Sequence, residues 1–315
     1  MKNSRPVVLV TGASGFIGRH LTPVLEGNGW TVRRAMRTPK IGANDVLIES
    51  IGPTTDWQKG LVDVDAVVHL AARVHRPNEE HAVELYRSAN IEGTLHLARC
   101  AANAGVRQFI FVSTILVNGR STDGRGPFSE RDVLTPRGIY GTSKAAAESG
   151  LEAMAQDGGM VITVIRPPLV YGAGAKGNFK LLAQAVSRGI PLPFASIDNR
   201  RAFLAVENLS SFVVERLAHA RGKFDVFLVA DDEQVSTPEF IRRLAKAAGV
   251  ASRLWPMPTS VLGSLLKIGG RPEAVESVIG SLELDLSKAG STGWRPQVTL
   301  DEGLRLATGE MMRDR

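Results

Sequence analysis

Apolar runs and stretches of helical spacing alternate along this chain. Residues 7–10 are uniformly apolar and valine-rich, which suits a strand buried on both faces of a parallel sheet rather than a half-exposed one. Helical apolar spacing follows over 16–25. The same patterning predicts strands over 30–36, 45–51 and 66–72, a helix from about 80 to 103, a strand over 108–112, a helix from about 136 to 155 and a strand over 160–165. Arg166-Pro167-Pro168 ends the last strand, because proline cannot continue a ladder. Strands alternating with helices define an α/β class built on a doubly wound parallel sheet. In such sheets ligands sit at the carboxyl ends of the strands, where Gly12, Leu70, Ala71, Ala72 and Thr114 fall.

The stretch 118–137 is rich in Gly, Ser, Asp and Pro and lacks apolar periodicity. Loops of this length in a compact fold serve as lids or binding segments. From Tyr171 the composition changes: 172–178 reads as a flexible glycine-rich link, and later elements are shorter and mixed. A first domain over 1–170 and a smaller lobe over 171–315 are therefore expected, with segments around 200–230 returning to the first. Ser236-Thr237-Pro238-Glu239 starts a helix with a hydroxyl cap and proline in the first turn, and Thr299-Leu300-Asp301-Glu302 fits a capping box. Residues 261–268 are apolar but interrupted by Ser264 and Lys267, which reads as core rather than as a membrane-facing segment.

Length and charge narrow the classes. With 315 residues the chain can bury a large core. A net charge of +6 and a pI near 9.7 are compatible with nucleic acid, but Lys and Arg are scattered rather than gathered in one long run, and an anionic small substrate is an equally good reading. A single cysteine, Cys100, excludes an internal disulfide and fits a reducing compartment. A strand begins within a few residues of the N-terminus and no apolar run is long enough to span a bilayer. The expectation is a cytoplasmic protein with no signal peptide and neither a nucleic acid nor a membrane as partner.

Candidate chemistry begins at the first strand. Gly12, Gly15 and Gly18 recur every third residue between strand and helix. Such a turn leaves backbone N–H groups and the positive end of the helix dipole facing a ligand, which favours a pyrophosphate. The spacing is Gly-x-x-Gly-x-x-Gly rather than the Gly-x-Gly-x-x-Gly of the standard dinucleotide fingerprint. After the second strand, an acidic residue would hold a ribose 2′-hydroxyl and an arginine would accommodate a 2′-phosphate. Met36 stands there, with Arg33, Arg34 and Arg37 around it and Pro39-Lys40 beyond, so NADP(H) is favoured over NAD(H); a solvated basic edge is the other reading. Further on, Tyr140, Lys144 and Glu148 follow at four-residue steps, on one helical face. A lysine charge beside a tyrosine lowers the cost of ionising the phenol, which near neutral pH is about 4 kcal/mol, and lets it act as a general acid or base.

Six segments together, Thr11 to Gly18, His69 to Ala72, Asn90 to Thr94, Ser113-Thr114, Tyr140 to Lys144 and Arg166 to Gly172, resemble the extended short-chain dehydrogenase/reductases, and among them the NAD(P)-dependent nucleotide-sugar epimerase/dehydratase group. The resemblance runs over essentially the whole chain. It implies a Rossmann domain with a smaller C-terminal substrate lobe, and a catalytic set in which Thr114 hydrogen-bonds the reacting sugar oxygen, Tyr140 exchanges its proton, and Lys144 holds the nicotinamide ribose while depressing the Tyr140 pKa. It places the cofactor along Gly12, Ser14, Gly15, Phe16, Ile17, Gly18, Arg37, Ile51, Leu70, Ala71, Ala72, Asn90 and Pro167. It assigns Asn178 and Arg201 to the phosphates of a UDP-linked sugar, and Leu192 and Phe194 to a short strand along the uracil. Relatives also pair through the two helices of the first domain, which implies a homodimer.

Departures from that pattern bear on the reaction. The dehydratases of the group follow the catalytic threonine with Asp-Glu; Ile115-Leu116 stand here, against elimination. Epimerases acting at C3 and C5 need further acid/base residues. Hydride transfer at one carbon, C4, remains. Ser50 replaces an aspartate near the adenine, and Val117-Asn118-Gly119 with residues 172–178 resembles bacterial UDP-4-keto-6-deoxy-N-acetylhexosamine reductases of surface polysaccharide synthesis. A 4-keto reductase is favoured on these grounds, with a UDP-glucose-type 4-epimerase holding NAD as the alternative. Non-catalytic sensors or assembly factors on this scaffold typically lose the tyrosine or lysine, and both are kept here.

Overall fold

The computed structural model describes residues 5–38, 42, 44–74, 82–268 and 272–313. In chain order the elements begin with β1 (Val7–Thr11), α1 (Phe16–Gly27), β2 (Thr31–Met36), β3 (Val46–Leu47), α2 (Gln58–Leu61), β4 (Ala66–His69) and α3 (Val83–Tyr86). A π-helical turn (Arg87–Glu92) leads directly into α4 (Gly93–Asn103), followed by β5 (Gln108–Val112), a 3-10 turn (Ile115–Val117), α5 (Gly138–Asp157), β6 (Val161–Arg166), β7 (Leu169–Tyr171) and α6 (Asn178–Ser187). The remainder comprises β8 (Phe203–Ala205), α7 (Val206–His219), β9 (Phe224–Leu228), α8 (Thr237–Ala247), α9 (Thr259–Ile268), α10 (Pro272–Val278), α11 (Ser287–Ser291) and α12 (Leu300–Arg313).

The chain forms two compact units. The first comprises 1–117, 133–166 and 210–227, and the second 118–132, 167–209 and 228–315. In the first, a seven-stranded sheet runs in the order β3-β2-β1-β4-β5-β6-β9, with parallel pairing from β3 through to β6. This is the doubly wound Rossmann order, whose direction reverses between β1 and β4. The apolar runs explain it: Val8, Leu9 and Val10 of β1 and Val67 and Val68 of β4 have no exposed surface, as a strand with helices on both faces requires. Leu97, Ala98 and Ala101 of α4 and Ala147, Leu151 and Ala155 of α5 pack with Leu9, Val67, Phe109, Phe111 and Val164 of the sheet into one core.

Several boundaries differ from expectation. β3 shrinks to two residues at the sheet edge, and β4 stops at His69, so Leu70, Ala71 and Ala72 leave the ladder. The helix expected from about residue 80 has its start outside the described residues, and its described part is interrupted by the π-helical turn. Pro39 and Lys40 also lie outside the described residues.

In the second unit β7 and β8 pair in parallel. Residues 172–178 are not a loose link: Ala175 is buried and Asn178 opens α6. Ser236 caps α8 by accepting from the Glu239 N–H, and Thr299 and Glu302 exchange the two bonds of a capping box at α12. The stretch 261–268 departs from its reading as core. In α9 only Leu262 and Gly263 are buried, while Val261, Leu265 and Ile268 face outward.

Candidate active site

The β1–α1 turn is shaped by what its glycines must avoid. Gly12 sits at φ +71°, and a Cβ there would stand 2.8 Å from the Ala71 nitrogen. A Cβ on Gly18 would collide with the Gly12 carbonyl and lie 2.5 Å from Ala13 Cα. The turn therefore closes on itself, with the Gly15 N–H donating to the Gly12 carbonyl at 2.9 Å, and lies directly against the end of β4. No side chain caps α1 at Gly15 and its first turn holds no acidic residue, so the dipole end keeps its positive field. Ser14 and Gly15 are exposed; Phe16 and Ile17 are half-buried. This cradle, which any side chain at Gly12 or Gly18 would fill, fits the diphosphate of a dinucleotide. Leu70, Ala71 and Ala72 are half-buried beside it, and Ile51 is half-buried against Gly93 of α4, where a Cβ would approach its Cγ2 to 2.8 Å.

Beneath the cradle His69 is fully buried, with Nδ1 2.6 Å from Thr11 Oγ1 and Nε2 3.0 Å from Thr94 Oγ1, its ring stacked on Phe111. Burial, reinforced by the Lys144 charge, pushes its pKa down to about 3. Between that value and the ordinary 6.5 the unfolded chain binds a proton that the folded chain refuses, so stability falls as pH drops through this window. Wild type is expected to lose about 1.4 kcal/mol more than His69→Asn for each pH unit between about 6 and 4. Urea titrations at two pH values read this difference, and equal pH slopes would show that His69 does not titrate with unfolding.

The basic cluster near Met36 is largely committed to structure. Arg33 donates to the Gly60 and Val62 carbonyls at 3.1 and 2.6 Å, and Arg34 forms a bidentate pair with Asp45 at 2.8 and 2.6 Å. The Asp45 partnership holds the Arg34 guanidinium above its usual range. Arg37 alone of the three is exposed without a hydrogen bond or ion pair to a described residue. The argument for a 2′-phosphate thus loses two of its three arginines.

Thr114 follows β5, half-buried, its Oγ1 accepting from the Leu116 N–H at 3.3 Å. Tyr140 and Lys144 lie one turn apart on α5. Gly141 between them keeps that helix close, because a Cβ there would meet the Leu116 carbonyl at 3.0 Å. The Lys144 ammonium is buried, donates to the Val112 carbonyl at 2.8 Å and stands 4.1 Å from the Phe111 ring centre. Burial brings its pKa down to about 7, against the opposing pull of Glu148. Tyr140 is pushed up to about 12, by burial first and by Tyr86 second. The expected depression of the Tyr140 pKa by Lys144 is thus absent in this arrangement: the ammonium is turned to a carbonyl, and desolvation of the phenol dominates.

Glu148, on the same face, is taken by a network that sequence patterning missed. It accepts from Ser113 Oγ and pairs with Arg166, Nη2 to Oε2 at 2.6 Å and Nε to Oε2 at 3.0 Å, all three residues being buried. The network ties the ends of β5 and β6 to α5. Its signal was a carboxylate one further turn along the Tyr140 face and an arginine ending a buried strand. Asn90, in the π-helical turn, is another tie: Nδ2 donates to the Arg73 carbonyl at 3.0 Å and to Ser143 Oγ at 2.9 Å, while Oδ1 accepts from the Arg73 N–H at 2.7 Å. It positions the segment after β4 and the Tyr140 helix. A π turn at such a place is a common mark of a functional site.

The remaining residues singled out from sequence, Cys100 of the first unit apart, belong to the second unit. Pro167 is buried and Asn178 is exposed in the first turn of α6. Leu192 and Phe194 are half-buried, and in place of a strand Leu192 makes a single parallel bridge to Leu254. Arg201 is buried and donates to the Glu276 and Gly280 carbonyls, with burial lowering its pKa to about 10 against the pull of Asp123. Part of its donor fork is therefore spent on the chain itself. Cys100 lies half-buried on α4, its thiol pKa raised by burial.

A parallel Rossmann sheet, a glycine cradle after β1 and a Thr, Tyr, Lys set at β5 and α5 define the short-chain dehydrogenase/reductase class of NAD(P)-dependent enzymes. Residues 8–230 match the NAD dependent epimerase/dehydratase family, and the chain belongs to that family. It is 38% identical over 306 residues to a UDP-glucose 4-epimerase of Vibrio cholerae, covering 95% of this chain and 93% of that protein. It is 27% identical over 310 residues to a GDP-6-deoxy-D-mannose reductase of Pseudomonas aeruginosa, covering 95% and 94%. In fold it resembles MoeE5 in complex with UDP-glucuronic acid and NAD, with a TM-score of 0.78 at 24% identity over 98% of this chain and 99% of that one.

Proposed function

We propose that this chain is a UDP-hexose 4-epimerase that keeps NAD bound through its catalytic cycle. The observation that carries the reading is the 38% identity to the Vibrio cholerae UDP-glucose 4-epimerase across nearly the whole of both chains. The engagement of Arg33 and Arg34 by Gly60, Val62 and Asp45 removes much of the sequence argument for NADP(H), and with it one of the grounds for favouring a reductase. In this reading Thr114 orients the C4 oxygen, Tyr140 takes and returns its proton, and Lys144 fixes the ribose of the cofactor. NAD, held by these residues, would supply reversible hydride transfer at C4. The backbone of the β1–α1 turn holds the diphosphate of the cofactor, and Asn178 and Arg201 serve the phosphates of the substrate.

A 4-keto reductase using NADPH is the second reading. Arg37 favours it, being exposed and unpaired among the described residues, and so does the likeness to GDP-6-deoxy-D-mannose reductase. Acid extraction of the purified protein, followed by assay with UDP-galactose and no added cofactor, separates the two. Stoichiometric NAD and formation of UDP-glucose are expected. An empty protein that turns over only a 4-keto sugar with NADPH would replace the epimerase by the reductase.

A further inference from the structure

A lysine ammonium carries three N–H donors, and that of Lys144 has almost no water to give them to. Its side chain is buried, and its one hydrogen bond to a described residue is the 2.8 Å bond to the Val112 carbonyl. The carboxylate one turn along its helix is already committed: Glu148 accepts from Ser113 and is paired with Arg166. Glu148 therefore acts on Lys144 only through its field, and no ion pair with a described residue closes on the ammonium.

An aromatic face stands where a counter-ion would. Phe111 of β5 is fully buried, and the Lys144 Nζ lies over its ring, 4.1 Å from the centre. At that distance the negative face of a ring attracts a cation, most strongly where water is excluded. Phe111 precedes Val112, so one strand end supplies both contacts. The ring is itself held: His69, its partner across the β4–β5 ladder, stacks on it at 5.9 Å and 18°, and Ala147 of α5 shares its core. His69 adds no repulsion, because burial keeps it neutral near pH 7. Of the other titratable groups on the surrounding elements, Tyr140 is kept a neutral phenol by burial and the charge of Arg166 is met by Glu148. A leucine at 111 would serve the core and offer the ammonium nothing.

We propose that Phe111 is a positioning residue for Lys144: the face of its ring takes the place of a counter-ion, holding the ammonium at the end of β5 and favouring its charged form. The inference rests on the reading of Lys144 as the group that fixes the cofactor ribose, because a displaced or neutral amine would be felt there.

Fluorination separates the charge distribution of the ring from its size. Mono-, di- and trifluorinated phenylalanine, incorporated at position 111 of the full chain, weaken the negative face stepwise and keep the shape. The midpoint of the Lys144 side-chain nitrogen NMR titration is expected to fall with each fluorine, by about one pH unit in the trifluorinated chain, with the thermal midpoint unchanged. The pH profile of UDP-galactose turnover should shift by the same amount in the same direction. Trifluorination at Phe109, which tilts against His69 and has no cation over its ring among the described residues, should leave the Lys144 midpoint in place. An unmoved midpoint in the trifluorinated chain would overturn the proposal, as would an equal shift from position 109. So would a midpoint that moves while the pH profile stays, because the contact would then have no part in the reaction. A wild type that turns over no UDP-sugar would remove the proposed function, while the contact between Phe111 and Lys144 would still be decided by the titration, which needs no substrate.

Discussion

Tyr140→Phe is expected to lower kcat on the productive UDP-sugar by about 1,000-fold and leave KM within about two-fold. The substitution removes one oxygen and keeps the ring, so packing on α5 is preserved. Gly141, one residue on, holds α5 against Leu116 and so beside Thr114, and the Asn90 bond to Ser143 ties the same helix to the segment after β4. The loss is therefore one of proton exchange rather than of position. The pH profile adds a second readout. With burial holding the phenol near 12, the fraction ionised grows with pH, so oxidation of a sugar alcohol by the wild type rises with pH, whereas the residual rate of Tyr140→Phe is flat. A variant within about three-fold of wild type in kcat would place the proton exchange on another group.

The sheet could be read from the chain because a strand covered on both faces has no polar alternation to hide it: residues 108–112 became β5 with both ends as expected. The helix starts at Ser236 and Thr299 were legible for a similar reason, since a cap satisfies N–H groups three residues away and its chemistry is local. What escaped was non-local. Arg33 and Arg34 flank the expected 2′-phosphate position in sequence, yet their partners, Gly60, Val62 and Asp45, are set by how the chain returns to the sheet edge. The π turn at Arg87–Glu92 changes the hydrogen-bond step without changing composition, so the periodicity around Asn90 looked continuous. In α9 the same apolar pattern serves a buried or an outward face, and only the position of α10 decides which. The Thr114, Tyr140 and Lys144 set was recognisable from motif order, but the direction of the Lys144 ammonium, toward the Val112 carbonyl, depends on β5 and was not.

Glu148→Gln is expected to destabilise the protein by about 3–5 kcal/mol, the cost of leaving the buried Arg166 guanidinium without its counter-charge. The amide keeps the volume and can accept from Ser113, so the effect isolates charge from packing. Replacing both partners, as Glu148→Leu with Arg166→Met, should recover most of the loss, because no charge then remains to be desolvated, and the pair would show a coupling well beyond the additive sum. The urea midpoints of the two single variants and the double variant measure this directly. A loss below about 1 kcal/mol in Glu148→Gln would mean that water or another carboxylate reaches Arg166. The same substitution has a consequence at the reacting end. Glu148 is the group that opposes burial in setting the Lys144 pKa, so its neutralisation moves that pKa further down from about 7 and leaves less ammonium at neutral pH. The optimum of Glu148→Gln should therefore shift to lower pH, which a purely structural weakening of α5 would not produce.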